Sequence, residues 1–143
     1  MPEFRPRALF NRFHIEVLAT TNSPLETLNY HRALRESDWN GKVIPAFRPD
    51  SVVDPDFDNF QDNVRQLGES SGEDISRWGG YLTALRKARE RFRQLGCTAT
   101  DHGHPTPATA DLSVESASNL FDRVLSGSAS SAEKEMFRAQ MLT

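Results

Sequence analysis

The sequence predicts an α/β fold in which about three parallel strands alternate with outer helices. Three short apolar runs rich in β-branched residues are separated by longer segments whose apolar residues recur at helical spacing. This alternation is typical of parallel strands joined by right-handed crossovers. A closed (β/α)₈ TIM barrel takes about 250 residues, so the 143 residues predict a partial barrel.

The composition and the first residues of the chain indicate which partners and which cellular location to expect. The chain is 26% charged with a net charge of −3, which is typical of a soluble protein with no dominant field, so neither nucleic acid nor a membrane is an expected partner. The first residues lack the apolar core of a signal peptide, and a cytoplasmic location is expected. The single cysteine, Cys97, is expected to be a small buried residue in a strand.

The first half of the chain contains two of the expected strands. A short helix over residues 6–13 precedes a β-branched strand over residues 15–20. A longer helix is predicted over residues 24–36, because Ser23 can cap it and Glu26 can complete a capping box. The second strand then covers residues 42–47.

The second half is mainly helical. Phe57, Phe60, Val64 and Leu67 share one face of a predicted helix. A longer helix follows and ends near Gly96, which suits a left-handed cap. The third strand is predicted over residues 97–100, and two amphipathic helices over residues 114–125 and 132–142 complete the chain. The last of these has its own capping box, formed by Ser130 and Glu133.

Each predicted strand becomes polar at its carboxyl end, which is where ligands bind in parallel α/β folds. The three polar runs are Thr20-Thr21-Asn22, Arg48-Pro49-Asp50 and Asp101-His102-Gly103-His104. Arg48 is the strongest single candidate, since its fork of donors suits a carboxylate or a phosphate and Pro49 stiffens the backbone that directs it. The alternative is that Arg48 pairs with Asp50 and only braces the loop.

The third polar run allows three interpretations. Asp101 or His102 could act as a general acid or base or contact a substrate. His102 and His104 could bind one metal ion, but Gly103 and Pro105 interrupt the strand and weaken the argument that alternate residues share a face. Ordinary loop hydrogen bonding is the third interpretation.

Several separated motifs resemble those of uronate isomerases, also called glucuronate isomerases. Residues 17–25, 43–50, 67–69 and 96–102 occur there in this order and at similar spacing. The resemblance covers nearly all of the chain from about Phe4, and the chain is similar to an interior segment of that family.

The resemblance implies an enzyme of the amidohydrolase superfamily that interconverts D-glucuronate with D-fructuronate and D-galacturonate with D-tagaturonate. Residues 1–143 would then form a single, incomplete segment of a TIM barrel similar to metal-dependent hydrolases. Family members carry a divalent metal, with zinc the expected ion, held by a His-x-His on the first barrel strand and an aspartate on the last. The chain is expected to lie between these elements and to bind no metal alone.

The same resemblance implies roles for individual residues. Arg48 and Asp50 belong to the family's Arg-Pro-Asp motif and are both expected to bind a small-molecule uronate, with Arg48 on its carboxylate. Phe47 stands where the family often has tryptophan and is expected to form an apolar wall of the substrate site. Asp101 and His102 match an Asp-His pair and are the expected catalytic residues.

Two further expectations concern the chain as a whole. The competing interpretation is a non-catalytic α/β module that binds an acidic sugar through the arginine. A sheet of three strands has two unpaired edges, so self-association through those edges is expected.

Asn22 stands where many family members have aspartate, which removes one negative charge near the expected site.

Overall fold

Two parallel strands and seven α-helices make up the chain, and the computed structural model describes all 143 residues. A short 3₁₀ helix at Pro2–Phe4 precedes them. The elements in chain order are α1 (Pro6–Arg12), β1 (Val17–Asn22), α2 (Asn29–Arg35), β2 (Lys42–Phe47), α3 (Asp50–Val53), α4 (Phe60–Ser71), α5 (Trp78–Gln94), α6 (Val114–Leu125) and α7 (Ser131–Met141). None of these helices is both long enough and apolar enough to cross a membrane.

The two strands pair in parallel, with Val17 opposite Lys42 and Asn22 opposite Phe47. The pairing continues one residue further, where the Arg48 N–H donates to the Asn22 carbonyl over 2.9 Å. The polar ends of both strands therefore meet at one edge of the sheet, as the sequence predicts. Helices α2 and α5 pack on β2, whereas β1 packs mainly against β2 and remains largely exposed.

The third strand predicted over residues 97–100 does not form. Thr100 makes a single parallel bridge to Phe47, supported by hydrogen bonds from the Phe47 N–H to the Ala99 carbonyl and from the Asp101 N–H to the Phe47 carbonyl. Alternate N–H groups of a strand point to the same neighbour, so the next donor toward this segment belongs to Pro45, which has no N–H. The observed sheet accordingly has two strands, not three.

Cys97 was expected to be buried in this strand, and that prediction is wrong. The residue is half-buried, lies outside any strand and donates from its thiol to the Ala99 carbonyl. Because the segment lacks a ladder to β2, its side chains are not held against the core on both faces. Gly96, which precedes it, has a φ of +90° and so adopts the left-handed conformation expected at the end of α5.

Helix α2 begins five residues later than predicted. The Glu26 carboxylate does accept from the Ser23 N–H over 2.9 Å, but the residues form a turn rather than a helix. The Pro24 carbonyl, which a helix would use, instead accepts from the Arg91 guanidinium over 2.6 Å. Leu28 is left-handed with a φ of 58°, and burial of its side chain offsets that strain.

Helix α4 likewise starts after its expected first apolar residue. Asn59 has a φ of 58°, and the helix begins at Phe60, so Phe57 precedes the helix and stays partly exposed. Phe60, Val64 and Leu67 are buried on one face, as predicted. The capping box of Ser130 and Glu133 at the start of α7 is also confirmed.

The core lies between β2 and the helices that follow it. Phe47 is 1% exposed, and its ring packs edge-on against Phe92 of α5 with ring centroids 5.0 Å apart. Tyr81 of α5 is fully buried, and its hydroxyl donates to the Val52 carbonyl over 2.7 Å. These contacts fix the end of β2 and the start of α3, which carry the polar residues described below.

Truncation of Phe92 tests this arrangement. Phe92→Ala should lower the free energy of unfolding by about 3 to 5 kcal/mol, since a buried ring is replaced by a cavity under Phe47. Phe13→Ala is the control, because its ring is 67% exposed, and it should change stability by less than about 0.5 kcal/mol. Urea denaturation measures both, and equal midpoints for the two variants would contradict the packing described here.

Candidate functional site

The Asp50 carboxylate lies at the centre of the polar strand ends. Pro49 separates it from Arg48, and α3 begins at Asp50 itself, so the backbone of this residue is held by β2 on one side and a helical turn on the other. Its side chain is only 9% exposed. A carboxylate buried to this degree requires partners, and the structure supplies them from two separate segments.

Arg48 is the first of these partners. Its Nε donates to Asp50 Oδ2 over 2.5 Å, while its Nη1 lies 3.4 Å from Asp101 Oδ2. The hydrogen bond to Asp50, followed by the charges of Asp50 and Asp101, raises the pKa of the Arg48 guanidinium. The Arg48 side chain remains 43% exposed, so it braces the loop through one edge and can still meet a ligand.

The loop after Thr100 supplies the second set of partners. The Gly103 N–H donates to both oxygens of Asp50, over 3.0 and 3.1 Å. A Cβ on Gly103 would meet the Arg48 guanidinium, so any larger residue here would displace Arg48 from its present position. Asp101 accepts from the Thr21 hydroxyl over 3.3 Å, which links the loop to the end of β1.

The two histidines of this loop lie together on the other side of Asp50. The His102 and His104 rings have centroids 5.3 Å apart, and His104 Nε2 is 3.8 Å from Asp50 Oδ1. Burial, and secondarily the neighbouring His104, lowers the pKa of His102, which therefore favours the neutral imidazole at neutral pH. One ligand atom each from Asp50, His102 and His104 lies within 4.8 Å of the others.

An open cleft of about 290 Å³ lies beside Arg48. It is lined by Thr21, Asn22, Ser23, Arg48, Asp50, Ser51 and Phe57. The Asn22 amide donates to Glu26 over 2.8 Å, so a carboxylate lies next to the position where an aspartate was expected from family resemblance. Phe57 is the one apolar side chain among the residues that line the cleft.

The expected role of Phe47 as an apolar wall of this cleft needs correction. Its side chain points into the core, where Phe92 covers it and the Arg89 guanidinium lies 5.8 Å from the ring centroid. The alternation of side chains along β2 places Phe47 inward and Arg48 outward, so both cannot face one ligand. Phe57, which precedes α4, is the aromatic residue that lines the cleft.

The other site residues predicted from sequence are brought together. Arg48, Asp50 and Asp101 are in direct contact, and His102 is separated from Asp50 by less than 5 Å at its ligand atom. His104 was considered only as half of an interrupted His-x-His, and its burial beside Asp50 was not predicted. No local signal gives this contact, because it depends on the Gly103 hydrogen bond across 53 residues of chain.

Polar side chains gathered at the carboxyl ends of parallel strands are typical of α/β enzymes that act on small polar molecules. The exposed edge of Arg48 favours an anionic one. A family model described as glucuronate isomerase matches residues 1–143. The chain therefore belongs to the glucuronate isomerase family.

Curated relatives agree with this family assignment. The chain is 57% identical over 142 residues to a uronate isomerase of Rhizorhabdus wittichii and 55% identical over 142 residues to one of Xanthomonas campestris pv. campestris. Each alignment covers 99% of this chain and 30% of the relative. The chain thus spans slightly less than a third of the length of the relatives that it matches.

Two solved structures have a closely similar fold. A glucuronate isomerase from Caulobacter crescentus superposes with a TM-score of 0.94 at 48% identity, over 99% of this chain and 30% of that one. A uronate isomerase from Thermotoga maritima gives a TM-score of 0.90 at 32% identity, over 98% and 31%. The arrangement of helices and strands described above is therefore shared with two members of the family.

The role of Asp50 in holding the loop can be measured by hydrogen exchange. Asp50→Ala removes the acceptor of the Gly103 N–H, and exchange of that amide should accelerate about tenfold or more. Asp62→Ala is a matched control, because Asp62 is an exposed carboxylate on α4 that pairs only with Arg65. If the Gly103 amide exchanges at the same rate in both variants, Asp50 does not anchor the loop.

Proposed function

We propose that this chain is the part of a uronate isomerase that binds the carboxylate of its substrate. The reaction is the interconversion of an aldo-uronate with the corresponding keto-uronate, with D-glucuronate and D-galacturonate as the substrate class. The observation that carries the proposal is the half-exposed guanidinium of Arg48 at the edge of the cleft. Membership of the glucuronate isomerase family supports the choice of anion.

The geometry of Arg48 suits this role. Its Nε is engaged by Asp50, which fixes the plane of the guanidinium, its Nη1 lies near Asp101, and the half-exposed side chain lines the cleft. A planar carboxylate can accept two parallel hydrogen bonds from such an edge. Asp50 thus acts as a positioning residue for Arg48 in this proposal, rather than as a contact to the substrate.

Asp101 and His102 are the groups that we assign to proton transfer. Isomerisation moves a proton between C1 and C2 of the open-chain sugar and needs a base beside the carbon. Asp101 is half-exposed and next to Arg48, so it can reach a bound uronate. His102 favours its neutral form, as a proton acceptor must.

We further propose that the remaining parts of the site lie on other strands of a TIM barrel. Two structurally similar isomerases about three times as long as this chain support that architecture. A divalent metal, with zinc the expected ion, would supply an electrophile for the sugar oxygens. The exposed edge of β1 supports self-association of the isolated chain as part of the same proposal.

Binding of D-glucuronate to the chain tests the role of Arg48. Arg48→Met should weaken binding at least about tenfold, because the carboxylate loses its charged donors. Arg48→Lys should recover part of the loss, since lysine restores the charge but not the fork. Chemical shift changes in an NMR titration give the dissociation constants.

Two controls make this titration specific. Arg65→Met changes an exposed arginine on α4 that pairs with Asp62 and Glu69, and it should leave the affinity unchanged. D-glucose lacks the carboxylate and should bind no better to the unaltered chain than to Arg48→Met. Equal affinity of the chain for glucose and glucuronate would rule out carboxylate recognition.

Isomerase activity of the isolated chain is the second test. The purified chain should show no turnover of D-glucuronate, because it spans about 30% of its relatives and lacks most of the strand ends of a barrel. A coupled assay for the keto-uronate measures this directly. Robust turnover by the chain without a complementing fragment would refute the proposal that required parts of the site lie on other strands.

A further inference from the structure

We propose that Asp50, His102 and His104 form a binding site for one divalent transition metal ion of the zinc class. Ligand atoms from the three side chains lie within 4.8 Å of one another. Family resemblance places the metal on residues outside this chain, and no spacing along the sequence indicates Asp50 as a ligand. The inference therefore comes from the contacts of the folded chain.

The burial of His104 is the first argument. Its side chain is 3% exposed, and neither ring nitrogen has a hydrogen-bond partner. His102 Nδ1 is also buried without a partner. Buried polar atoms are almost always hydrogen-bonded, and leaving one unpaired is costly. A metal ion would take the lone pair of one nitrogen on each ring and so give each histidine one partner that the folded chain does not supply.

An ion pair between protonated His104 and Asp50 explains the arrangement less well. The 3.8 Å between His104 Nε2 and Asp50 Oδ1 exceeds the length of a hydrogen bond, which is about 2.7 to 3.2 Å. A metal ion can occupy the space between the two atoms, which a proton does not fill.

The carboxylate is already held as a metal ligand would be. Arg48 occupies Oδ2 of Asp50, and Gly103 donates to both oxygens, so Oδ1 keeps a lone pair that faces His104. Hydrogen bonds of this kind orient ligating carboxylates and affect how tightly the metal ion is bound. Tetrahedral zinc with bonds of about 2.1 Å holds its ligand atoms roughly 3.4 Å apart, so small side-chain rotations close the set.

The ligand types determine the class of metal. Two imidazoles and one carboxylate suit zinc and related transition ions, whereas magnesium and calcium prefer oxygen ligands alone. Three protein ligands also leave a fourth position open, as in catalytic zinc sites. With His102 on the metal, Asp101 is left as the proton carrier of the proposed reaction.

The charge balance of the site gives an independent reason for a cation. Arg48 contributes one positive charge, but Asp50 and Asp101 beside it contribute two negative ones. An anionic ligand would therefore meet a net negative cluster. A divalent ion on Asp50 would reverse the sign of this cluster and so strengthen the attraction of Arg48 for a carboxylate. This last argument rests on the proposed function, whereas burial and geometry do not.

Titration of the chain with Zn²⁺ alone tests the site. Calorimetry should show one Zn²⁺ bound per chain, and His104→Ala should weaken binding about 100-fold or more, since loss of a ligand exceeds the effect of losing an outer partner. His14→Ala is the matched control, because His14 is exposed and far in sequence from the cluster. It should leave the affinity unchanged, and Mg²⁺ should bind far more weakly than Zn²⁺.

A second measurement does not depend on variants that could unfold. Zn²⁺ should shift the ring ¹⁵N resonances of His102 and His104 in the unaltered chain and leave those of His14 and His31 in place. Shifts confined to His14 or His31, or no saturable binding by the folded chain, would overturn the proposal. So would undiminished binding by a folded His102→Ala/His104→Ala double variant.

No uronate is present in either metal measurement. Zn²⁺ binding without any response to D-glucuronate would therefore remove the proposed function and keep the metal site. The reverse result would remove the metal site and keep carboxylate recognition by Arg48.

Discussion

The hydrogen bonds of the Asp50 carboxylate determine the geometry of the whole polar region. One carboxylate holds Arg48 from the end of β2 and Gly103 from a loop 53 residues away, with His104 beside it. Pro49 and the start of α3 fix the backbone between the two charged residues. Because the carboxylate is nearly buried, its hydrogen bonds to Arg48 and to the Gly103 N–H are partly shielded from water. Arg48 and the loop that carries the histidines are therefore both positioned by the Asp50 side chain.

Local signals predicted the parts of the fold whose partners are close in sequence. The bounds of β2 and α6 match the predicted ones, and Ser130 caps α7 as expected. These features depend on residues that are close together in the sequence, such as an apolar run or the two members of a capping box. The start of α2 was missed because Arg91, from a distant helix, takes the Pro24 carbonyl. The approach of His104 to Asp50 was not predicted either, since it depends on the contacts of Asp50 with a loop 53 residues away, which no spacing along the chain encodes.

The polar region is supported on one side by a well-packed core and is open on the other. Phe47 and Tyr81 fix the end of β2 from below, while Val17 and Leu18 of β1 are each 43% exposed. In the proposed barrel, further strands would cover β1 and complete the cleft beside Arg48. The same side chains are thus rigid where they meet the helices and accessible where a substrate would enter, which preorganisation of a binding site requires.

Pro45 limits the backbone pairing between β2 and the segment that precedes the histidine loop. Because it offers no donor to the segment that leads to His102, the strand and the histidine loop share only the bridge at Phe47. The register of β2 is set by its ladder with β1, whereas the loop is anchored by the Gly103 hydrogen bond to Asp50, so changes in loop length beyond Gly103 do not shift that register. The backbone of Arg48 can therefore keep its place when the loop beyond Gly103 changes in length, so the two segments of the polar region can vary separately in evolution.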